Sequence, residues 1–132
     1  MVKINPNTKT KTPHTERAAQ VRNALKAEEA NFTERINKAY RSETLNSKDP
    51  NCTSKEIVYD KEGNKLYGKS VFKDGSVHYY MNDANNNGRT FFVDLDDDGK
   101  MDKMSHCNKE TTKRDFRTVD KNDDGTFDMI YW

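Results

Sequence analysis

The chain has 132 residues, which suits one domain of ordinary size, and its hydrophobic fraction of 32% is small beside a charged fraction of 34%. A net charge of +1 without a basic cluster argues against a nucleic-acid-binding surface. No apolar run approaches the roughly 20 residues that a membrane-spanning helix needs. The first residues show no apolar signal segment, so the sequence leaves the compartment open.

The N-terminal third divides into a polar arm and a helix. Residues 1–12 are polar and are predicted to form a disordered arm. A helix is predicted over residues 13–41, with Pro13 at its first position. Its apolar residues recur at steps of three, four and seven positions: Ala18, Val21, Leu25, Phe32, Ile36 and Tyr40. A capping box from Asn31 to Glu34 would divide this helix, but strong helix formers just before it favour one continuous helix.

The remainder of the chain has the periodicity of strands. Residues 42–54 are rich in turn formers without a period and are predicted to be a linker. Residues 55–132 alternate apolar and polar positions between turn signals, which is typical of an antiparallel β-meander. The fold class is therefore predicted as α+β, one domain over 13–132 with the amphipathic helix packed on the meander.

Two details of the meander are also predicted. Asp74-Gly75 is the signature of a two-residue hairpin turn, which would place Phe72 opposite Val77. The stretch 105–113 is polar and is predicted to be an excursion between two hairpins.

Two acidic stretches, 94–102 and 120–128, share the pattern D-x-[DN]-x-D-G-x-x-D. A hard cation such as Ca²⁺ takes about six to eight oxygen ligands, and one tight turn can supply several of them. The ligands expected are the side chains at loop positions one, three, five and nine and the carbonyl at position seven. In the first loop these are Asp94, Asp96, Asp98, Asp102 and the Lys100 carbonyl. In the second they are Asp120, Asn122, Asp124, Asp128 and the Thr126 carbonyl.

These loops are not EF-hands. An EF-hand requires a glutamate at position twelve and helices on both sides. Position twelve is Ser105 in one loop and Tyr131 in the other, and the flanking segments alternate as strands do. Each loop is therefore predicted to join two strands.

Residues 93–104, in which the acidic loop is framed by apolar strand residues, resemble the calcium loops of integrin-type FG-GAP and VCBS repeats in β-propellers. Thrombospondin type 3 and dockerin repeats share the aspartate spacing, but they continue into cysteine-rich coil or helix. The resemblance is carried by the stretch from Asp94 to Asp128 that contains the two loops, and it implies Ca²⁺ as the bound ion. It also favours an extracellular or cell-surface location.

A third loop, 83–91, has the same frame but carries Asn85, Asn87 and Phe91 where acids would stand. With one formal charge it is expected to be a structural copy that binds calcium weakly at best, because affinity follows the charge of the ligands.

Two cysteines, Cys52 and Cys107, would pair in an oxidising compartment and stay free in a reducing one. A zinc site built from these cysteines with His78 and His106 lacks supporting ligand spacing.

The sequence thus predicts a non-catalytic calcium-binding module whose ions brace β-hairpins, serving adhesion or recognition. The alternatives are a calcium-regulated protein that binds a partner through its N-terminal helix and, less favoured, a small metal-dependent hydrolase using His78 or His106. The sequence contains no nucleophile elbow, phosphate-binding glycine loop or metalloprotease motif. The oligomeric state is left open.

Overall fold

The computed structural model describes residues 6–109, 114–121, 127 and 129–131. In this part of the chain one helix precedes eight antiparallel strands, which hydrogen-bond to one another in sequence order. The elements are α1 Pro6–Lys38, β1 Arg41–Leu45, β2 Cys52–Tyr59, β3 Lys65–Phe72, β4 Val77–Asn82, β5 Gly88–Asp94, β6 Lys103–Asn108, β7 Arg114–Val119 and β8 Met129–Tyr131. The predicted α+β class is confirmed. Within the described residues, no helix combines the length and apolarity needed to cross a membrane.

The helix is continuous, as predicted, but it begins earlier and ends earlier than expected. It starts at Pro6, so residues 6–12, which were predicted as part of a disordered arm, are helical. A proline fits the first helical position because a backbone N–H at that position would have no acceptor within the helix. Pro13 lies inside the helix and not at its start. The C-terminus is Lys38, three residues before the predicted end.

One face of the helix packs on the sheet. Val21 and Leu25 are buried, and the Phe32 ring stacks on Phe92 with centroids 4.8 Å apart. The predicted apolar stripe stops there, because Ile36 is 40% exposed and Tyr40 is 63% exposed. Tyr40 lies beyond the helix, where its backbone N–H already bonds to Tyr59 of β2.

The core lies between α1 and one face of the sheet. Each of the strands β2 to β7 contributes a large buried side chain to it: Val58, Tyr67, Met81, Phe92, Met104 and Phe116. A single helix can cover these residues because they form one cluster with its Val21 and Leu25. The core therefore runs across six neighbouring strands and links the helix to nearly the whole sheet.

The predicted linker contains structure. β1 occupies Arg41–Leu45 and pairs with β2, which itself begins at Cys52. All five residues of β1 are exposed, so this strand has no buried face to produce an alternating pattern. It is held by backbone pairing and by the Arg41 guanidinium, which lies 4.3 Å from the Tyr59 ring centroid.

The predicted register of the β3–β4 hairpin is wrong by one residue. Val71 pairs with Val77, and Phe72 donates its N–H to the Ser76 carbonyl, so the loop has three residues, ending at Gly75 with φ of 90°. Such a loop combines a turn with a left-handed glycine. Because side chains alternate between faces, the shift moves Phe72 to the face opposite that of Val77.

The predicted polar excursion over 105–113 is also wrong in its first part, since residues 105–108 belong to β6. A strand is predicted after the loop at Asp94, but its continuation beyond Met104 is not, because residues 105–108 are mostly polar. Met104 and His106 lie two residues apart and so share a face of the sheet. His106 pairs with Thr90 of β5 and Phe116 of β7.

Candidate metal centre

The loop at Asp94 joins β5 to β6, as predicted for a turn between strands. Asp94 is the last residue of β5 and Asp102 immediately precedes β6. The loop closes where the Asp102 N–H donates to the Val93 carbonyl at 2.8 Å. Asp97 and Gly99 have positive φ of 53° and 88°, which allows the chain to turn tightly around the carboxylates.

Two buried carboxylates hold this loop in shape. Asp94, 1% exposed, accepts the N–H groups of Asp98 at 3.3 Å and Gly99 at 2.9 Å. Asp102 is also buried and accepts the Leu95 N–H at 2.6 Å. Each carboxylate thus bonds to backbone at the far side of the loop, and both are fixed at its centre.

Three of the predicted ligands come together at this centre. Asp94, Asp96 and Asp102 each place a carboxylate oxygen within 4.8 Å of the other two. Loss of hydration and then the charges of Asp98 and Asp102 raise the pKa of Asp96. The carboxylates of this loop therefore repel one another, and a bound cation would reduce that repulsion.

The other two predicted ligands of the first loop lie on its exposed side. The Asp98 carboxylate accepts the Lys100 N–H at 2.8 Å. The group of three carboxylates does not include Asp98. The loop thus contains a buried half at Asp94 and Asp102 and an exposed half at Asp98 and Lys100.

The second predicted loop begins beside the first. Asp120, which follows β7, is buried and donates its N–H to the Asp102 carbonyl at 2.8 Å. Asp94, Asp102 and Asp120 therefore form a row across three neighbouring strands at one end of the sheet. The other predicted ligands of this loop lie outside the described residues: Asn122, Asp124, Thr126 and Asp128.

The third loop, between β4 and β5, copies the turn of the first but not its carboxylate group. Asn86 has φ of 61° at loop position four, where Asp97 has 53° in the first loop. Asp83 accepts the Asn87 N–H at 2.7 Å, as Asp94 accepts that of Asp98. Position nine, however, is Phe91 within β5, so no second carboxylate faces Asp83 from that position.

Asp83 instead belongs to a different group, which the sequence analysis missed. Glu28, Asp83 and His106 each place a possible ligand atom within 4.8 Å of the other two. Glu28 is 3% exposed and reaches from the helix to accept the Thr90 hydroxyl at 2.8 Å and the Ala84 N–H at 3.0 Å. The signal for Glu28 was available, since position 28 continues the helix face of 21 and 25 toward 32.

His106 lies between two carboxylates. Its Nε2 is 2.8 Å from Asp83 Oδ2, and its Nδ1 is 2.7 Å from Asp115 Oδ1. Burial disfavours charge on the ring, but the hydrogen bonds to Asp83 and Asp115 outweigh it and raise the pKa of His106. Burial likewise opposes ionisation of Asp83, yet its bonds from His106 and Asn87 lower the pKa of that carboxyl.

His78 and the two cysteines lie outside both of these ligand groups. His78 packs against the Phe72 ring with centroids 4.6 Å apart. Cys52 and Cys107 are both free thiols. Among the described residues, no group of three metal-ligating side chains contains a cysteine or His78, so the four-residue zinc site is not formed.

Comparisons with protein-family models, with curated proteins and with solved structures give no match. The resemblance of the acidic loops to FG-GAP and VCBS repeats therefore stays a prediction.

Proposed function

We propose that this protein is a non-catalytic calcium-binding module in which an ion held by the loop at Asp94 braces strands β5 and β6. The observation that carries the proposal is the convergence of Asp94, Asp96 and Asp102, two of them buried, around one turn. The sequence spacing alone predicts these three residues as ligands, together with Asp98 and the Lys100 carbonyl.

The donor chemistry fits calcium. Three carboxylates supply oxygen ligands and a formal charge of minus three, which suits a hard divalent cation. Asp94, Asp96 and Asp102 would hold the ion, and the predicted set adds Asp98 and the Lys100 carbonyl. A loop with one formal charge, such as that at Asp83, lacks this charge density.

The bound ion would act on the fold. Asp94 is the last residue of β5 and Asp102 immediately precedes β6, so a shared cation would tie the ends of two neighbouring strands. Binding free energy of this kind adds to the free energy of folding when the site exists only in the folded chain. Asp120 extends the same row, which supports a second site in the loop 120–128 beside the first.

The wider role, adhesion or recognition outside the cell or at its surface, rests on the resemblance of these loops to FG-GAP repeats. Binding of a partner through the apolar stripe of the helix is less favoured, because Val21 and Leu25 already pack on the sheet. Hydrolysis is also less favoured. The described carboxylate group at Asp94 contains no histidine, and His78 and His106 contact other residues.

Isothermal titration calorimetry with Ca²⁺ tests the proposal. Asp96→Asn replaces an exposed carboxylate with a neutral side chain of the same shape. It should weaken one calcium-binding event about tenfold or more, since affinity follows ligand charge. Asp74→Asn is the matched control, because Asp74 also caps a hairpin turn, through the Ser76 N–H, but lies outside the carboxylate group. Absence of calcium binding to the wild-type protein, or equal affinity in the Asp96 variant, would contradict the proposal.

A further inference from the structure

We propose that Glu28, Asp83 and His106 form a second metal site, selective for a transition-metal dication such as Zn²⁺, which fastens the helix to the sheet. The site does not depend on calcium binding at Asp94. Its three residues come from three elements: the helix, the loop between β4 and β5, and strand β6. Their ligand atoms lie within 4.8 Å of one another, and the Glu28 and Asp83 side chains are almost fully buried.

The ligand types separate this site from the calcium loop. One imidazole nitrogen with two carboxylate oxygens is a donor set used by Zn²⁺ and similar ions, whereas Ca²⁺ takes oxygen ligands. The carboxylates retain capacity for an ion, because each has about four lone-pair sites. Glu28 Oε1 accepts bonds from Thr90, Ala84 and Asn31, whereas Glu28 Oε2 accepts only the Ala84 N–H, at 3.0 Å, and so keeps room for an ion. Asp83 Oδ1 accepts the Asn87 N–H, and its Oδ2 faces His106 Nε2, so a cation could replace the proton between Oδ2 and Nε2.

The ligand atoms are close enough to share an ion after a small adjustment. Two ligands held tetrahedrally at about 2.0–2.2 Å from one zinc ion lie roughly 3.4 Å apart. His106 Nε2 and Asp83 Oδ2 are 2.8 Å apart, a hydrogen-bond distance, so they would have to separate slightly to admit an ion in place of the shared proton.

The surroundings of the imidazole are those of a metal ligand. His106 Nδ1 lies 2.7 Å from Asp115 Oδ1, and a metal-ligating histidine usually donates its other N–H to such a carboxylate. The ring of Phe116 stacks on the imidazole at a centroid distance of 5.2 Å and an interplanar angle of 18°. The outer carboxylate and the aromatic ring together hold the imidazole with Nε2 directed at Asp83.

The local charge favours a dication over a proton. Glu28, Asp83 and Asp115 surround one imidazole, and the Arg17 guanidinium donates to the Asp115 backbone carbonyl at 3.2 Å. With protons on both ring nitrogens, these carboxylates, the imidazolium and Arg17 sum to one negative charge. A dication in place of the Nε2 proton brings the same sum to zero. Uncompensated charge at buried carboxylates is unfavourable.

Zinc titration of the full chain, with variants matched by residue type, tests the site. Apparent Zn²⁺ affinity should fall about 100-fold in His106→Gln, because a nitrogen ligand and its supporting carboxylate are both lost. His78→Gln is the histidine control and Asp96→Asn the calcium-loop control, and both should retain wild-type Zn²⁺ affinity. Equal loss in either control would overturn the assignment.

A measurement on the wild-type chain covers the case in which His106→Gln does not fold. In ¹⁵N NMR of the histidine rings, one equivalent of Zn²⁺ should displace the proton from His106 Nε2 and leave the Nδ1–H in place. If saturating Zn²⁺ leaves the His106 resonances unchanged, the ring is a protonated bridge between Asp83 and Asp115 and the metal assignment fails. Since Ca²⁺ plays no part in this readout, its result is separable from failure of calcium binding.

Discussion

Glu28 stands at a position of the helix where an apolar residue would ordinarily face the core. Its carboxylate accepts bonds from Thr90, which is fully buried, and from the backbone N–H of Ala84. A buried polar group without a hydrogen-bond partner lowers the free energy of unfolding. Glu28, Thr90 and the Ala84 N–H therefore depend on one another for their hydrogen bonds. Glu28 therefore specifies how the helix is placed on the loop between β4 and β5.

Glu28→Ala should lower the free energy of unfolding by about 1–3 kcal/mol, because Thr90 and the Ala84 N–H lose their acceptor in a buried site. Urea unfolding in the presence of a chelator measures the change. Glu29→Ala is the control, since Glu29 is the adjacent residue on the exposed side of the helix. Equal midpoints for the two variants would show that the Glu28 contacts add nothing to stability.

At the scale of elements, the predictable parts of the fold are those with a buried face of regular period. The continuous helix followed from Val21, Leu25 and Phe32, and the loop at Asp94 followed from its aspartate spacing. β1 could not be found because none of its side chains is buried. The extension of β6 over residues 105–108 was not predicted because His106 takes a half-buried strand position that the pattern assigned to a polar loop.

The same reasoning explains which parts of the sites were predictable. Asp94, Asp96 and Asp102 lie within nine residues, so their proximity is encoded locally in one turn. Glu28 and His106 are 78 positions apart and meet only because the helix crosses the sheet. The predicted register of the β3–β4 hairpin is wrong for a related reason, since Asp74-Gly75 is compatible with both two-residue and three-residue loops.

The packing of the helix as an element has its own test. Leu25→Ala should cost about 2–5 kcal/mol, because the side chain is buried in the cluster that spans β2 to β7. Ile36→Ala, on the same helix but 40% exposed, should change stability by about 0.5 kcal/mol or less. Chemical denaturation compares the two. A larger effect at Ile36 than at Leu25 would mean that the helix packs through its C-terminal end instead.

At the scale of the whole molecule, the two proposed metal sites act on different contacts. The calcium loop would tie neighbouring strands at the end of the sheet that carries Asp94, Asp102 and Asp120. The group of Glu28, Asp83 and His106 would tie the helix to the opposite end, where the loop between β4 and β5 lies. Together these contacts would supplement the hydrophobic core between the helix and the sheet.

Calcium bound at the Asp94 loop is proposed to stabilise the fold, and thermal melts in Ca²⁺ and in a calcium-selective chelator test this proposal. Free Ca²⁺ at 100 times its dissociation constant should add about 2.7 kcal/mol to the free energy of unfolding. Mg²⁺ should add less, because it requires a tighter octahedral shell and dehydrates reluctantly. Asp96→Asn should lose much of the calcium-dependent rise in melting temperature, while Asp74→Asn keeps it. Identical wild-type melting temperatures in calcium and in chelator would show that calcium does not stabilise the fold.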